Sequence, residues 1–223
     1  MKLISVAIDG PAGSGKSSVS KIVASQVQYL YIDTGAMYRA VTLALQEAQV
    51  DICDEVAVER MLAQSEISLN REAAGYKVYL NGRDVTTAIR TPIVSDQVSS
   101  VAALGVVRRK MVELQRQMAA GGGVILDGRD IGTVVLPQAE LKIFLTASVE
   151  ARAKRRFAEY QQQGEAITLD AVIENIKARD YQDSHREIAP LTCADDAIIV
   201  DNSNLSLEET AAYIIKLIKE KQE

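Results

Sequence analysis

One octapeptide constrains this chain more than any other feature. Residues 10–17 read Gly10-Pro11-Ala12-Gly13-Ser14-Gly15-Lys16-Ser17, a match to G-x-x-x-x-G-K-[ST]. Glycines at these spacings let backbone N–H groups curl around phosphate oxygens, where side chains would block the approach. Lys16 then reaches the β and γ phosphates, the Ser17 hydroxyl suits Mg²⁺, and Ser18 extends the first helical turn. The bland alternative is a glycine-rich turn with an exposed lysine, and context argues against it. The apolar run Leu3 to Asp9 reads as a buried strand, and Val19, Ile22, Val23 and Val27 follow at helical spacing from Ser17 to Gln26. The helix that begins here aims the positive end of its dipole at a bound anion.

The rest of the chain repeats that alternation. Tyr29 to Ile32, Val124 to Asp127, Leu141 to Leu145 and Ala197 to Asp201 are near-continuous apolar runs, and Ala36 to Ala48 is helical. Such strands, separated by helices, indicate an α/β fold with a parallel sheet covered on both faces. Ser206 and Glu209 fit a capping box for a last helix, whose inward stripe is expected to include Ala212, Ile215 and Ile218. Glu66 to Asp84 breaks the pattern with β-type spacing and turn candidates at Ala74-Gly75 and Asn81-Gly82, and reads as a small antiparallel insertion. Ser148 to Arg186 is long, charged and largely helical, a candidate mobile flap.

Composition excludes whole classes of function. A formal net charge of −5 argues against a broadly basic nucleic-acid binder. The single histidine, His185, leaves almost no material for a histidine metal site or a Ser-His-Asp triad. Cys53 and Cys193 have neither metal-ligand spacing nor the numbers for a disulfide framework. Aromatics are 4%, too few for a base-stacking platform. No apolar run approaches a membrane span, and MKLISVAIDG reads as a first strand rather than a secretion signal. A cytoplasmic protein with no membrane or nucleic-acid partner is expected.

A phosphate loop alone does not separate kinases from switches or transporters. The chain lacks the Asn-Lys-x-Asp guanine-reading motif and the Leu-Ser-Gly-Gly-Gln transport signature. Ligands bind outside the carboxyl ends of parallel strands, and two strand ends here carry chemistry. One reads Asp33-Thr34-Gly35-Ala36-Met37-Tyr38-Arg39, the other Asp127-Gly128-Arg129-Asp130-Ile131-Gly132-Thr133. Asp127 is either a Mg²⁺-orienting carboxylate or a turn cap, with Asp33 a rival for the metal. Arg39 and Arg129 suit bidentate recognition of a second phosphate. The flap adds Arg152, Arg155, Arg156, Arg179 and Arg186, with Lys154 and Lys177. These are either solvated helix faces with charge pairs such as Arg155 with Glu159, or a clamp over transferring phosphoryl groups.

The segments GPAGSGKS, DTGAMYRA, IRTPIVSDQVSSVAA, DGRDIGTVVLPQAELKIFL and RDYQDSHREIAPL, in this order and over nearly the whole chain, resemble the bacterial cytidylate kinase family. The resemblance implies transfer of the γ-phosphoryl of ATP to CMP or dCMP with Mg²⁺. It also implies a P-loop kinase core with a five-stranded parallel sheet (1–62 and 96–223), a β insertion (63–95) and a helical lid (about 150–188). By motif, Gly10 to Ser18 would bind ATP, and Ser17 and Asp127 would hold Mg²⁺. Arg39, Arg129 and Arg186 would hold the CMP phosphate, with Lys16, Arg155 and Arg179 acting on the transferring group. Ser99, Arg108 and Asp130 would read cytosine, Thr34 would lie nearby, and Asp183 would accept from the ribose hydroxyls. Cytosine offers an amino donor that a carboxylate accepts, whereas uracil offers a carbonyl there. The chain departs from some members at Gln182, where they carry arginine. No general base is required, because a phosphate monoester has a second pKa of ~6 and is already anionic at neutral pH; His185 is therefore expected to be peripheral. A monomer is expected, with lid and insertion closing only on both nucleotides. The competing readings are a related kinase for UMP, AMP or a small metabolite such as shikimate, and a nucleotide-binding switch that phosphorylates nothing.

Overall fold

The computed structural model describes residues 2–72, 75–162 and 164–222. The chain divides into two compact units, Met1–Ile32 with Ala119–Glu223, and Asp33–Met118.

The first unit is built on a five-stranded parallel sheet. Its strands are β1 (Ser5–Asp9), β2 (Leu30–Asp33), β6 (Val124–Gly128), β7 (Leu141–Thr146) and β8 (Ile198–Asp201), in the order β2-β6-β1-β7-β8. β1 is central, with Asp9 opposite both Gly128 and Phe144, so the chain leaves it at the middle of the sheet's carboxyl edge. Val6, Ala7, Ile8, Ile125, Leu126, Ile143 and Leu145 are buried throughout, because both faces of the sheet are covered. α1 (Lys16–Val27) packs against β6 and α8 (Leu207–Gln222).

α8 opens on the expected capping box: Glu209 N donates to Ser206 Oγ (3.1 Å) and Ser206 N donates to Glu209 Oε2 (2.8 Å). Of its expected inward stripe only Ile218 is buried. Thr210, Ala211, Ile214, Leu217 and Ile218 are buried, while Ala212 is exposed and Ile215 only partly covered. Both stripes have helical spacing, and packing against α1 selected the one rotated by a single residue.

The charged flap is a pair of helices, α6 (Val149–Gln162) and α7 (Leu169–His185), the second capped by Thr168 accepting from Ala171 N. Ala153, Val172 and Ile176 form its own buried cluster, edged by Phe157, Tyr160 and Ile173. Burying Val172 and Ile176 contributes about 1.5–3 kcal/mol each.

In the second unit, α2 (Thr34–Glu47) packs against α3 (Glu55–Ala63), α4 (Pro92–Ala103) and a three-stranded antiparallel sheet, β3 (Ile67–Glu72), β4 (Gly75–Leu80) and β5 (Arg83–Asp84). α5 (Gly105–Ala119) closes the segment. Asp33 caps α2, accepting from Ala36 N at 2.8 Å, and Pro92 opens α4. The Asn81-Gly82 turn has positive φ at both residues (51° and 77°), the geometry of a two-residue hairpin that favours Asn-Gly. The other expected turn is Ala74-Gly75, of which Ala74 lies outside the described residues; the register beside it pairs Glu72 with Gly75.

Candidate active site

β1 delivers the phosphate loop to the sheet's carboxyl edge, and sterics fix its first residue. A Cβ on Gly10 would lie 2.0 Å from the backbone oxygen of Leu145 in β7, so no other residue fits there. Pro11, Ala12 and Ser14 are buried, Gly13 is exposed, Gly15 caps α1, and Lys16, Ser17 and Ser18 form the first turn. Lys16 Nζ donates to Gly10 O and Pro11 O (both 2.7 Å) and Ser14 Oγ (3.3 Å), filling the loop with positive charge. Burial and the Arg129 guanidinium push its pKa well below the usual lysine range, against the opposing pull of Asp127, Asp9 and Asp183. A polyanionic ligand reverses that balance, so the loop is electrostatically primed for phosphate.

Behind the loop, Ser17 Oγ donates to Asp127 Oδ2 (2.7 Å) and Tyr31 OH donates to Asp127 Oδ1 (2.8 Å). Asp127 is buried near the end of β6. A hydroxyl and a carboxylate side by side are the hard oxygen donors that suit Mg²⁺, so the residues present fit that ion when phosphates and water complete its shell. Asp33, the rival, is occupied as the α2 cap.

The segment after β6 carries a cluster of paired arginines and carboxylates in the first unit. Arg129 Nε donates to Asp183 Oδ2 (2.7 Å), and Arg186 lies 3.5 Å from Asp130 Oδ1 while its Nε donates to Ala189 O (2.6 Å). Burial raises the Asp183 carboxyl, but Arg129, Arg179 and Arg186 outweigh it and hold the group below the usual carboxylate range. Arg129 and Asp183 also act electrostatically on Lys16, so this cluster lies within reach of the phosphate loop. A single turn of π-helix, Ile131–Val135, follows. Asp9, which sequence reasoning passed over, anchors it: Oδ1 accepts from Ile131 N (2.8 Å) and Oδ2 from Gly132 N (2.7 Å). Burial raises the Asp9 pKa to about 6 despite those two bonds. Its only sequence signal was a carboxylate interrupting an apolar strand one residue before the loop.

The remaining residues assigned to the nucleotide belong to the second unit. Thr34 is the buried first residue of α2, and Arg39 lies one turn on, its Nη1 3.3 Å from where a Cβ on Gly35 would sit. Ser99 is half-buried in α4. Arg108 is buried, donating to Ala102 O (3.2 Å) with its guanidinium 5.8 Å from the Tyr38 ring centre, while Arg109 and Lys110 are exposed. The basic run is thus not a uniformly solvated face.

The flap cations sort themselves by partner. Lys154 is exposed, Lys177 pairs with Glu174, and Gln182 and His185 are exposed, His185 stacked on Tyr181. Arg152 is buried, donating to Ala147 O (3.0 Å) and Ala12 O (2.8 Å) and pairing with Asp180 (2.6 Å). The expected Arg155–Glu159 pair is replaced: Arg156 takes Glu159 (2.7 Å), and Arg155 donates to Asn202 Oδ1 (3.1 Å) and Asn202 O (2.6 Å). Asn202 is the second residue that sequence reasoning missed; its one signal is its place just after β8, at the carboxyl edge.

Comparison with known proteins decides among phosphate-loop kinases. A cytidylate kinase family model matches residues 6–220. The chain belongs to the cytidylate kinase family. It is 54% identical over 220 residues to the cytidylate kinase of Lactobacillus johnsonii, covering 99% of this chain and 96% of that one. It is 50% identical over 220 residues to the Bacillus subtilis cytidylate kinase, covering 99% and 98%. Among solved structures it resembles TT1252 from Thermus thermophilus (TM-score 0.50, 13% identity, covering 99% and 98%) and an uncharacterized protein from Eubacterium ventriosum (TM-score 0.52, 13% identity, covering 98% and 99%). At that identity the likeness concerns fold alone. The enzyme is therefore an ATP-dependent nucleoside monophosphate kinase of this family.

Proposed function

We propose that the enzyme transfers the γ-phosphoryl group of ATP to CMP or dCMP, giving ADP and CDP or dCDP. The observation that carries this reading is the cluster of Arg129, Asp130, Asp183 and Arg186 within electrostatic reach of Lys16. A switch that only binds ATP has no use for a second set of arginines aimed at an anion.

In this reading Gly10 to Ser18 hold the ATP phosphates, and Arg39, Arg129 and Arg186 hold the CMP phosphate. An oxygen of that phosphate forms the new bond to the γ-phosphorus as the bond to the β–γ bridging oxygen breaks and ADP leaves. Lys16, Arg129, Arg155 and Arg179 stabilise the charge that develops on the transferring group. No base is needed, since the acceptor oxygen is already anionic. Ser99, Arg108 and Asp130 read cytosine, with Thr34 beside them, and Asp183 accepts from the ribose. At present it accepts from Arg129 Nε. Ser17 and Asp127 would hold Mg²⁺, which supplies charge neutralisation at the β and γ oxygens when bound. The α6–α7 pair (about 150–188) serves as a lid and residues 63–95 as an insertion of the monophosphate-binding part. The reading takes the enzyme as a cytoplasmic monomer. Among the described residues, no helix is long and apolar enough to cross a membrane.

A coupled ADP assay with CMP, dCMP, UMP, AMP and GMP, with and without Mg²⁺, tests the proposal. ADP should appear only with added monophosphate and Mg²⁺, fastest with CMP or dCMP. Equal rates with AMP, or ADP release independent of any acceptor, would refute it.

A further inference from the structure

The structure assigns Asn202 a positioning role: its side chain ties the phosphate loop to Arg155 and holds that guanidinium against the loop. This inference rests on the reading that Arg155 acts on the transferring phosphoryl group.

Asn202 sits just past β8, where its own N–H donates to Thr146 O of β7 at 2.9 Å and fixes its backbone to the sheet. It is only 3% exposed. Its amide is used at both ends: Nδ2 donates to Ser14 O of the phosphate loop (3.0 Å), and Oδ1 accepts from Arg155 Nη1 (3.1 Å). The backbone carbonyl of the same residue accepts from Arg155 Nη2 (2.6 Å). One residue thus presents two acceptors to the two Nη atoms of a planar fork and a donor to the loop.

The chemistry at this position is restrictive. An aspartate would set a second acceptor against Ser14 O, and an alanine would leave that oxygen and one Arg155 N–H without these bonds. The bonds to Asn202 use two of the five donors of Arg155, so others remain for phosphate oxygens. The guanidinium already lies at the loop, with Nη1 4.0 Å from the point a Cβ on Gly15 would occupy, one residue before Lys16. Its hydrogen-bond partners here are the neutral oxygens of Asn202, and the Asp201 carboxylate lies within its electrostatic reach. Nearby Asp201 accepts instead from Ser203 N and Oγ, and those two bonds chiefly hold its carboxyl below the usual range. Asn202 thereby sets in advance the orientation that a free arginine on α6 would have to find at an entropic cost.

A double-mutant cycle on the full-length enzyme tests this, reading kcat, KM for ATP and KM for CMP separately. Arg155→Ala should lower kcat by about 100-fold, the scale of losing one transition-state donor. Asn202→Ala should lower kcat by about 10-fold with KM for CMP unchanged, because the acceptor site is untouched. The double variant should fall within about threefold of Arg155→Ala alone, since a positioning residue has nothing to position once its partner is gone. A merely structural asparagine would instead lower kcat by the same factor with or without Arg155, giving a double loss of about 1000-fold. That result overturns the inference and leaves the role of Arg155 standing. If Arg155→Ala keeps the wild-type kcat, the reading of Arg155 falls and the inference with it. Thermal unfolding monitors the fold of every variant. Should Asn202→Ala unfold at the assay temperature, Asn202→Ser, whose hydroxyl is small and polar, replaces it in the same cycle and is judged by the same criteria.

Discussion

Replacing Asp9 by asparagine should change how the stability of this enzyme depends on pH, by an amount the structure specifies. The carboxyl at the end of β1 is pushed from 3.8 to about 6, chiefly by burial, with like charge on Asp130 adding to the rise. Two backbone N–H bonds and Lys16 act in the opposite direction. A folded-state pKa above the unfolded value means that the native state binds the proton more tightly. The contribution is therefore fully present below the unfolded value and is lost as pH rises through about 6. At about 1.4 kcal/mol per unit, the full effect is about 3 kcal/mol, and about 2 kcal/mol of it is lost between about pH 4.5 and pH 7.5. The amide that Asp9→Asn introduces cannot titrate, and the cost of facing its nitrogen toward Ile131 N or Gly132 N is the same at each pH. Urea unfolding of both proteins across that range provides the assay. The wild-type advantage over Asp9→Asn should shrink by about 2 kcal/mol on going from acid to neutral pH, a relative midpoint change of about 1 M for a urea slope of about 2 kcal/mol per M. A difference that stays flat, or grows toward neutral pH, would show that Asp9 titrates normally and that its burial carries no electrostatic cost. The enzyme tolerates that cost because the ionised carboxylate accepts from both N–H groups of the turn that follows Asp130.

Three further outcomes are expected. Asp130→Ala should cut CMP turnover by orders of magnitude and reduce the CMP-over-UMP ratio of kcat/KM at least about 10-fold, measured with both acceptors; an unchanged ratio would remove Asp130 as the base reader. Asp127→Asn should raise the Mg²⁺ concentration for half-maximal rate by about 10-fold, measured by titrating Mg²⁺ at fixed ATP, because Ser17 loses its carboxylate neighbour; an unchanged Mg²⁺ dependence counts against the metal assignment. Ser206→Ala should cost about 1 kcal/mol in denaturant unfolding while leaving kcat unchanged, since it removes one side of the α8 capping box and touches no assigned site residue.

Much of the site was legible because it is local. The phosphate loop, its strand and its helix are contiguous, and their chemistry depends on residue types at fixed spacing. The same holds for the five apolar runs that became the parallel sheet, the Asn81-Gly82 hairpin and the Ser206–Glu209 box. The arginines of α6 and α7 were visible only as a set. Sequence spacing offered Arg155 to Glu159, yet α6 turns Arg155 toward the end of β8 and leaves Glu159 to Arg156.

Residue type and short-range periodicity alone therefore determined the fold class, the phosphate loop and the pool of charged candidates, since each is set by interactions within a few residues. Tertiary structure alone decided which carboxylate faces Ser17, which face of α8 turns inward, and which partners Asp9 and Asn202 meet. Those outcomes depend on which distant strand ends the sheet order β2-β6-β1-β7-β8 brings side by side. Asp9 meets Ile131 across 122 positions, and Asn202 meets Ser14 across 188. No local pattern encodes partners that far apart, because their proximity exists only once the sheet has formed.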